Sequence, residues 1–116
     1  MLTYQDLANE ACAKFAVVDN NRMARAILIA ANKTSIYNQR CPRGQFDVRS
    51  DHPSVNGGWY RVDLAKHYCS CKDSRKGNVC KHRLAVWLRQ EILCRVYAQV
   101  RGVDKAIIAK ELGYTA

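Results

Sequence analysis

Residues 69–82 read CSCKDSRKGNVCKH, and the organisation of the chain turns on this stretch. It contains the pair Cys69-x-Cys71, a polar spacer of eight residues (KDSRKGNV), and the pair Cys80-x-His82. Zinc takes four deprotonated soft or borderline ligands in a tetrahedron, and three thiolates with one imidazole supply them. A Cys-x-Cys pair at the end of a strand converges on one ion when the chain curls around it. Cys80 and His82, placed at the start of a helix, turn back toward the first pair, and Gly77-Asn78 provides the tight return between them. Cys69, Cys71, Cys80 and His82 are therefore expected to hold one structural zinc ion, with roughly 10–16 kcal/mol of apparent binding energy coupled to folding. Four strong ligands leave no open position for a catalytic metal. His67, two residues before Cys69, is a rival ligand, and His52 reads as an exposed loop residue.

The flanks carry period-two and helical patterns. On the N-terminal side, Phe46 and Val48 alternate with Gln45, Asp47 and Arg49. Tyr60, Val62 and Leu64 likewise alternate with Trp59, Arg61 and Asp63, so two strands pair as a hairpin across a long loop, Ser50–Gly58. On the C-terminal side a helix runs from Lys81 to about Ala98, with Leu84, Ala85, Leu88, Ile92 and Val96 along one face. Gly102 breaks it, and Asp104 caps a last helix, Lys105–Leu112, closed by Gly113. Near the N-terminus, Thr3 and Asp6 form a capping box ahead of Leu7, Ala8, Ala11, Phe15 and Val18. Asp19 and Asn20 then cap a second helix through Met23, Ala24, Ile27, Leu28 and Ala31. Such a pair must bury its apolar stripe against another element. The reading is one α+β domain over residues 1–116. It comprises a helical hairpin (1–34), a ββα zinc module (45–98) and a C-terminal helix (103–113).

The ligand order, after a strand carrying Tyr60 and Val62 and before CKHRLAVWL (80–88), resembles the SWIM-type zinc finger, with DSRKG (73–77) as a supporting loop. The resemblance covers about residues 45–95. It implies a ββα zinc fold of the kind found in transposases, chromatin remodellers, recombination accessories and ubiquitin-pathway proteins. It further implies DNA binding or protein–protein contact, and it excludes His67 from the ligand set. The tail VDKAIIAKELGYTA (103–116) is similar to the first helix and turn of a helix-turn-helix. The sequence stops where a recognition helix would start, so the tail is read either as a packed helix or as a truncated motif.

Composition narrows the class. The 116 residues are 48% apolar and 25% charged, ordinary for a globular domain. No run approaches the roughly 20 apolar residues that span a bilayer, so no membrane association is expected. MLTYQDLANE lacks the basic-then-apolar order of a signal peptide, which points to the cytoplasm or, in a eukaryote, the nucleus. Three of the six cysteines fall within twelve residues, a pattern of metal binding rather than of a secreted disulfide scaffold. Cys12 and Cys94 read as small buried apolar residues, and Cys41, in QRCPRG, as a loop residue. There is no carboxylate pair, phosphate-cradling glycine loop or Ser/His/Asp set, so neither an enzyme nor a small-molecule substrate is expected.

The net charge of +9 is concentrated around the metal motif. Residues 61–89 hold eight basic side chains against Asp63 and Asp73. Lys81 and Arg83 stand at a helix N-terminus, where the macrodipole disfavours cations unless an anion docks there. Basic groups with interleaved aromatics are the ingredients of phosphate contact and base stacking. Arg61, Lys66, Lys72, Arg75, Lys76, Lys81, Arg83, Arg89 and Trp59 are the candidate nucleic-acid contacts. Trp59 is either covered by the N-terminal helices or free to stack, and Trp87 reads as core near the zinc. The alternative is a protein-interaction adaptor, monomeric or self-associating, within a larger nucleoprotein assembly.

Overall fold

The computed structural model describes residues 3–14, 20–32, 34–38, 41, 44–50 and 58–111, apart from the side chains of Cys12, Lys14 and Asn20. Phe15, Val18, Asp19, His52, Leu112 and Gly113, all given roles above, lie outside the described residues. The elements are α1 (Tyr4–Lys14), α2 (Asn20–Ala31), β1 (Ile36–Tyr37), β2 (Gln45–Arg49), β3 (Trp59–Asp63), β4 (Tyr68–Cys69), α3 (Lys72–Arg75), α4 (Lys81–Arg101) and α5 (Lys105–Glu111). The architecture is α+β: a small antiparallel sheet in the order β1-β2-β3-β4, with helices on one side.

The expected hairpin is present, with Val48 opposite Tyr60 and Phe46 opposite Val62. Alternation sends Phe46, Val48 and Val62 into the core and leaves Asp47, Arg49 and Arg61 on the outer face. The pair β2–β3 is extended on both sides by strands of two residues, too short to show any period in the sequence. The long helix α4 packs against α1, α2, α5, β3 and β4. Leu84, Ala85, Val86 and Leu88 are fully buried there, and Trp87 nearly so. Cys94 is enclosed as expected, and burial pushes its thiol up to about 11. The helix outlasts its expected end by three residues. It stops where Gly102 turns left-handed (φ 67°) and donates to the Ala98 carbonyl.

Two of the expected N-terminal caps are present among the described residues. Thr3 N–H donates to the Asp6 carboxylate (2.9 Å), and Asp6 N–H donates to Thr3 Oγ1 (3.1 Å). Asp104 accepts from Ala106 N–H at 2.8 Å. Two faces differ from expectation. In α2 the buried residues are Met23, Ala26 and Ala30, whereas Leu28 is 72% exposed and Ala24 and Ala31 also face solvent. Small residues at 26 and 30 let α2 approach α4 closely, and this outweighs the larger side chain. On α4, Val96 is exposed, while Cys94 and Ala98 on either side of it are buried.

Candidate metal centre

The turn after β3 carries the chain into β4, which delivers Cys69 to the core side of the sheet. Cys71 follows as the N-cap of α3, a helical turn within the segment expected to be a loop. Gly77, at φ 88°, turns the chain back, and Asn78 is held by its side-chain bond to Asp73 Oδ1 (2.9 Å). Cys80 then N-caps α4, and His82 lies in the first turn of that helix.

The ligand atoms of Cys69, Cys71, Cys80 and His82 all lie within 4.8 Å of one another, and all four residues are buried. Cys69 Sγ is 3.8 Å from Nδ1 of His82. In a tetrahedral zinc site with Zn–S near 2.3 Å and Zn–N near 2.0 Å, neighbouring ligand atoms are roughly 3.5–3.8 Å apart. The residues present therefore fit the ion, with Nδ1 as the imidazole donor. Tyr60 supports the ring from β3, its centroid 4.6 Å from that of His82. His67 is exposed at the turn (φ 52°) and stands apart from the cluster.

The cluster's electrostatics call for a cation. Hydrogen bonding from Cys69 and then Cys80 holds the Cys71 thiol far below its usual range. The same contact with Cys71 drives Cys69 far above it. Cys80, drawn down by Cys69 but raised by Cys71 and by burial, sits at about 11. Three adjacent thiolates repel one another unless a dication neutralises them. Backbone N–H groups already point at two of the sulfurs: Ser74 N–H to Cys71 Sγ and Arg83 N–H to Cys80 Sγ, both at 3.4 Å. Each of these cysteines thus serves as helix cap and metal ligand together.

The candidate nucleic-acid contacts divide into groups. Arg61 lies on the outer face of the sheet, bound to Asp47 Oδ1 and Gln45 Oε1, both at 2.8 Å. Trp59 shares that face. It meets Tyr37 edge-on at 5.3 Å, with the Arg49 guanidinium 5.3 Å from its ring. The N-terminal helices pack on α4 instead. Arg89 is turned toward the C-terminal end of α2, donating to the carbonyls of Ala30 (2.7 Å) and Asn32 (2.6 Å). Lys66, Lys72, Arg75 and Lys76 are exposed around the zinc loop, with Arg75 donating to the Ser70 carbonyl. Lys81 and Arg83 are half-buried at the start of α4.

Two residues absent from the sequence reading join this region. A cavity of about 430 Å³ lies over the ligands, between α2 and the zinc loop, and Arg22 and Arg25 line it with Lys72, Lys81, Tyr60 and His82. Arg22 also binds Asp73 through two 2.7 Å hydrogen bonds. Their spacing of three residues on one helix was the available signal, but nothing in the sequence shows which way that face turns.

No curated protein and no solved structure matches the chain. Among the described residues, no helix is long and apolar enough to cross a membrane. The family model of the SWIM zinc finger matches residues 60–91, which include all four members of the buried cluster. The chain carries a SWIM zinc finger, with Cys69, Cys71, Cys80 and His82 as the Cys₃His site for a structural zinc ion.

Proposed function

We propose that this zinc-ordered module binds nucleic acid through phosphate contacts, DNA before RNA, as a non-enzymatic accessory in replication, recombination, transposition or transcription. The supporting observation is the uncompensated charge around the finger. Asp73, the acidic residue of the zinc loop, is taken up by Arg22, while Lys72 and Lys76 project into solvent. Arg83 adds a further cation in the first turn of α4. Arg61 and Arg89 are committed to the fold and are left out of the contact surface. Reduced thiols gathered on a metal suit the cytoplasm or nucleus.

Fluorescence anisotropy with single- and double-stranded DNA and RNA at several salt concentrations tests the reading. The expected result is an affinity that falls steeply with salt, by a slope of about 0.9 per duplex phosphate contacted. Lys76→Glu with Arg83→Glu is expected to flatten that slope. Absence of binding to every probe at moderate salt would refute it.

A second reading, a protein partner or a second copy of the chain, is favoured by one feature. Val96, Tyr97 and Val100 (80% exposed) are exposed apolar residues within one stretch of α4, and Ile107 of α5 is exposed as well. This reading expects association that survives high salt and is lost in Val100→Lys.

A further inference from the structure

We infer that the cavity between α2 and the zinc loop is a site for a phosphate monoester, the terminal phosphate of a nucleic-acid strand. The inference rests on the nucleic-acid reading above and says where one end of the strand is held. At about 430 Å³ the cavity is far larger than a metal ion needs and lies within the range of about 300–1,000 Å³ common to small-ligand sites. Among the described residues its walls carry Arg22, Arg25, Lys72 and Lys81 against one carboxylate, Asp73. A zinc ion with three thiolates and a neutral imidazole contributes a formal −1. Over the described lining, four cations, one carboxylate and that centre sum to +2, which suits a dianionic monoester better than a singly charged diester.

Geometry supports the same ligand. Arg22 is fixed by two 2.7 Å bonds to Asp73, so part of the wall is preorganised before anything binds. Arg25 and Lys72 are exposed and make no side-chain hydrogen bond among the described residues, so their donors are available. Residues from the first turns of α2 and α4 line the cavity together, which places two positive helix ends beside it. The half-buried Tyr60 ring, braced on His82, gives the ribose or base an apolar wall.

The test compares one fluorescent oligonucleotide bearing a 5′-phosphate with the same strand ending in a 5′-hydroxyl, on the zinc-loaded full chain. The phosphorylated strand is expected to bind about tenfold tighter, the scale of one charge-assisted contact set. Arg25→Ala with Lys72→Ala should bring that ratio near one with zinc content unchanged. Equal binding of the two strands by the unaltered chain overturns the inference while leaving the nucleic-acid reading in place. A preference that persists in the double variant overturns the placement in this cavity. If neither strand binds but a nucleoside monophosphate does, with the same dependence on Arg25 and Lys72, the strand reading falls and the monoester site stands. Binding of none of these probes overturns both.

Discussion

Arg22 and Asp73, fifty-one residues apart, are joined by two hydrogen bonds of 2.7 Å, Nε to Oδ2 and Nη2 to Oδ1. The pair fastens α2 to the zinc loop, and Asp73 passes the constraint on to Asn78 on the return strand of that loop. The Arg22 guanidinium, and secondarily Asn78, holds the Asp73 carboxyl below its ordinary value. A lowered folded-state pKa stabilises the protein above the unfolded value, and that contribution disappears as pH falls through the folded value. Asp73→Asn should cost about 1 kcal/mol, the modest figure suited to a pair that is one-third exposed. In urea titrations, the stability that the parent protein loses as pH falls below the ordinary carboxylate value should be smaller in the variant. Identical pH profiles would exclude the pair as a contributor.

Zinc should be inseparable from the fold of residues 59–101. Cys71→Ser removes a ligand while leaving a good N-cap for α3, so its effect reports on the metal. The coupled binding energy, about 10–16 kcal/mol, matches or exceeds the whole stability of a small domain, about 5–15 kcal/mol. The variant should lose stoichiometric metal by elemental analysis and much of its helical circular dichroism, as should the parent protein after chelation. Full metal content in a folded Cys71→Ser protein would contradict the assignment.

Glu91 is fully buried and is reached by Arg95 (3.0 Å) and by Lys105 Nζ, while Arg95 also meets Glu10 at 2.9 Å. One carboxylate therefore helps to hold α1, α4 and α5 together. Glu91→Gln leaves cations facing a neutral amide and should cost about 3 kcal/mol. Faster amide exchange is expected across α5, with zinc content unchanged. Stability within 0.5 kcal/mol of the parent, roughly the level of a neutral surface change, would show the contacts to be dispensable.

Arg89 separates the fold's requirements from those of ligand binding. Its guanidinium closes the C-terminal end of α2 through the carbonyls of Ala30, Asn32 and Ile36, a fork that lysine cannot reproduce. Arg89→Lys should lower stability by about 1–2 kcal/mol. The salt slope of nucleic-acid binding should stay where it was. A slope reduced by about one would return Arg89 to the contact surface.

What the sequence revealed follows from the range of its signals. Ligand spacing is local, so Cys69, Cys71, Cys80 and His82 could be named together, and alternation exposed the two five-residue strands. Ile36–Tyr37 and Tyr68–Cys69 are too short to alternate. The run AILIAA (26–31) is apolar on every face, so its buried side was settled by contact with α4 and not by period. Arg22 does not stand out in the sequence and Arg89 reads there as a nucleic-acid contact, because their partners, Asp73 and the carbonyls of Ala30 and Asn32, lie on distant elements. The charge near the finger was legible as a sum. Its partition into committed and exposed cations required three dimensions.

The double service of Cys80 has a geometric result for the whole molecule. Since the metal grips the first turn of α4, it sets the rotational phase of a 21-residue rod about 30 Å long. Every side chain downstream is indexed from that end. One residue inserted between His82 and Arg89 would swing Arg89 and Glu91 by about 100° away from α2 and α5 while leaving composition and hydrophobic content almost untouched. The finger thus acts as the keyway of a shaft, and the distance in sequence from His82 to Glu91 is as much a part of the fold as the four ligands themselves.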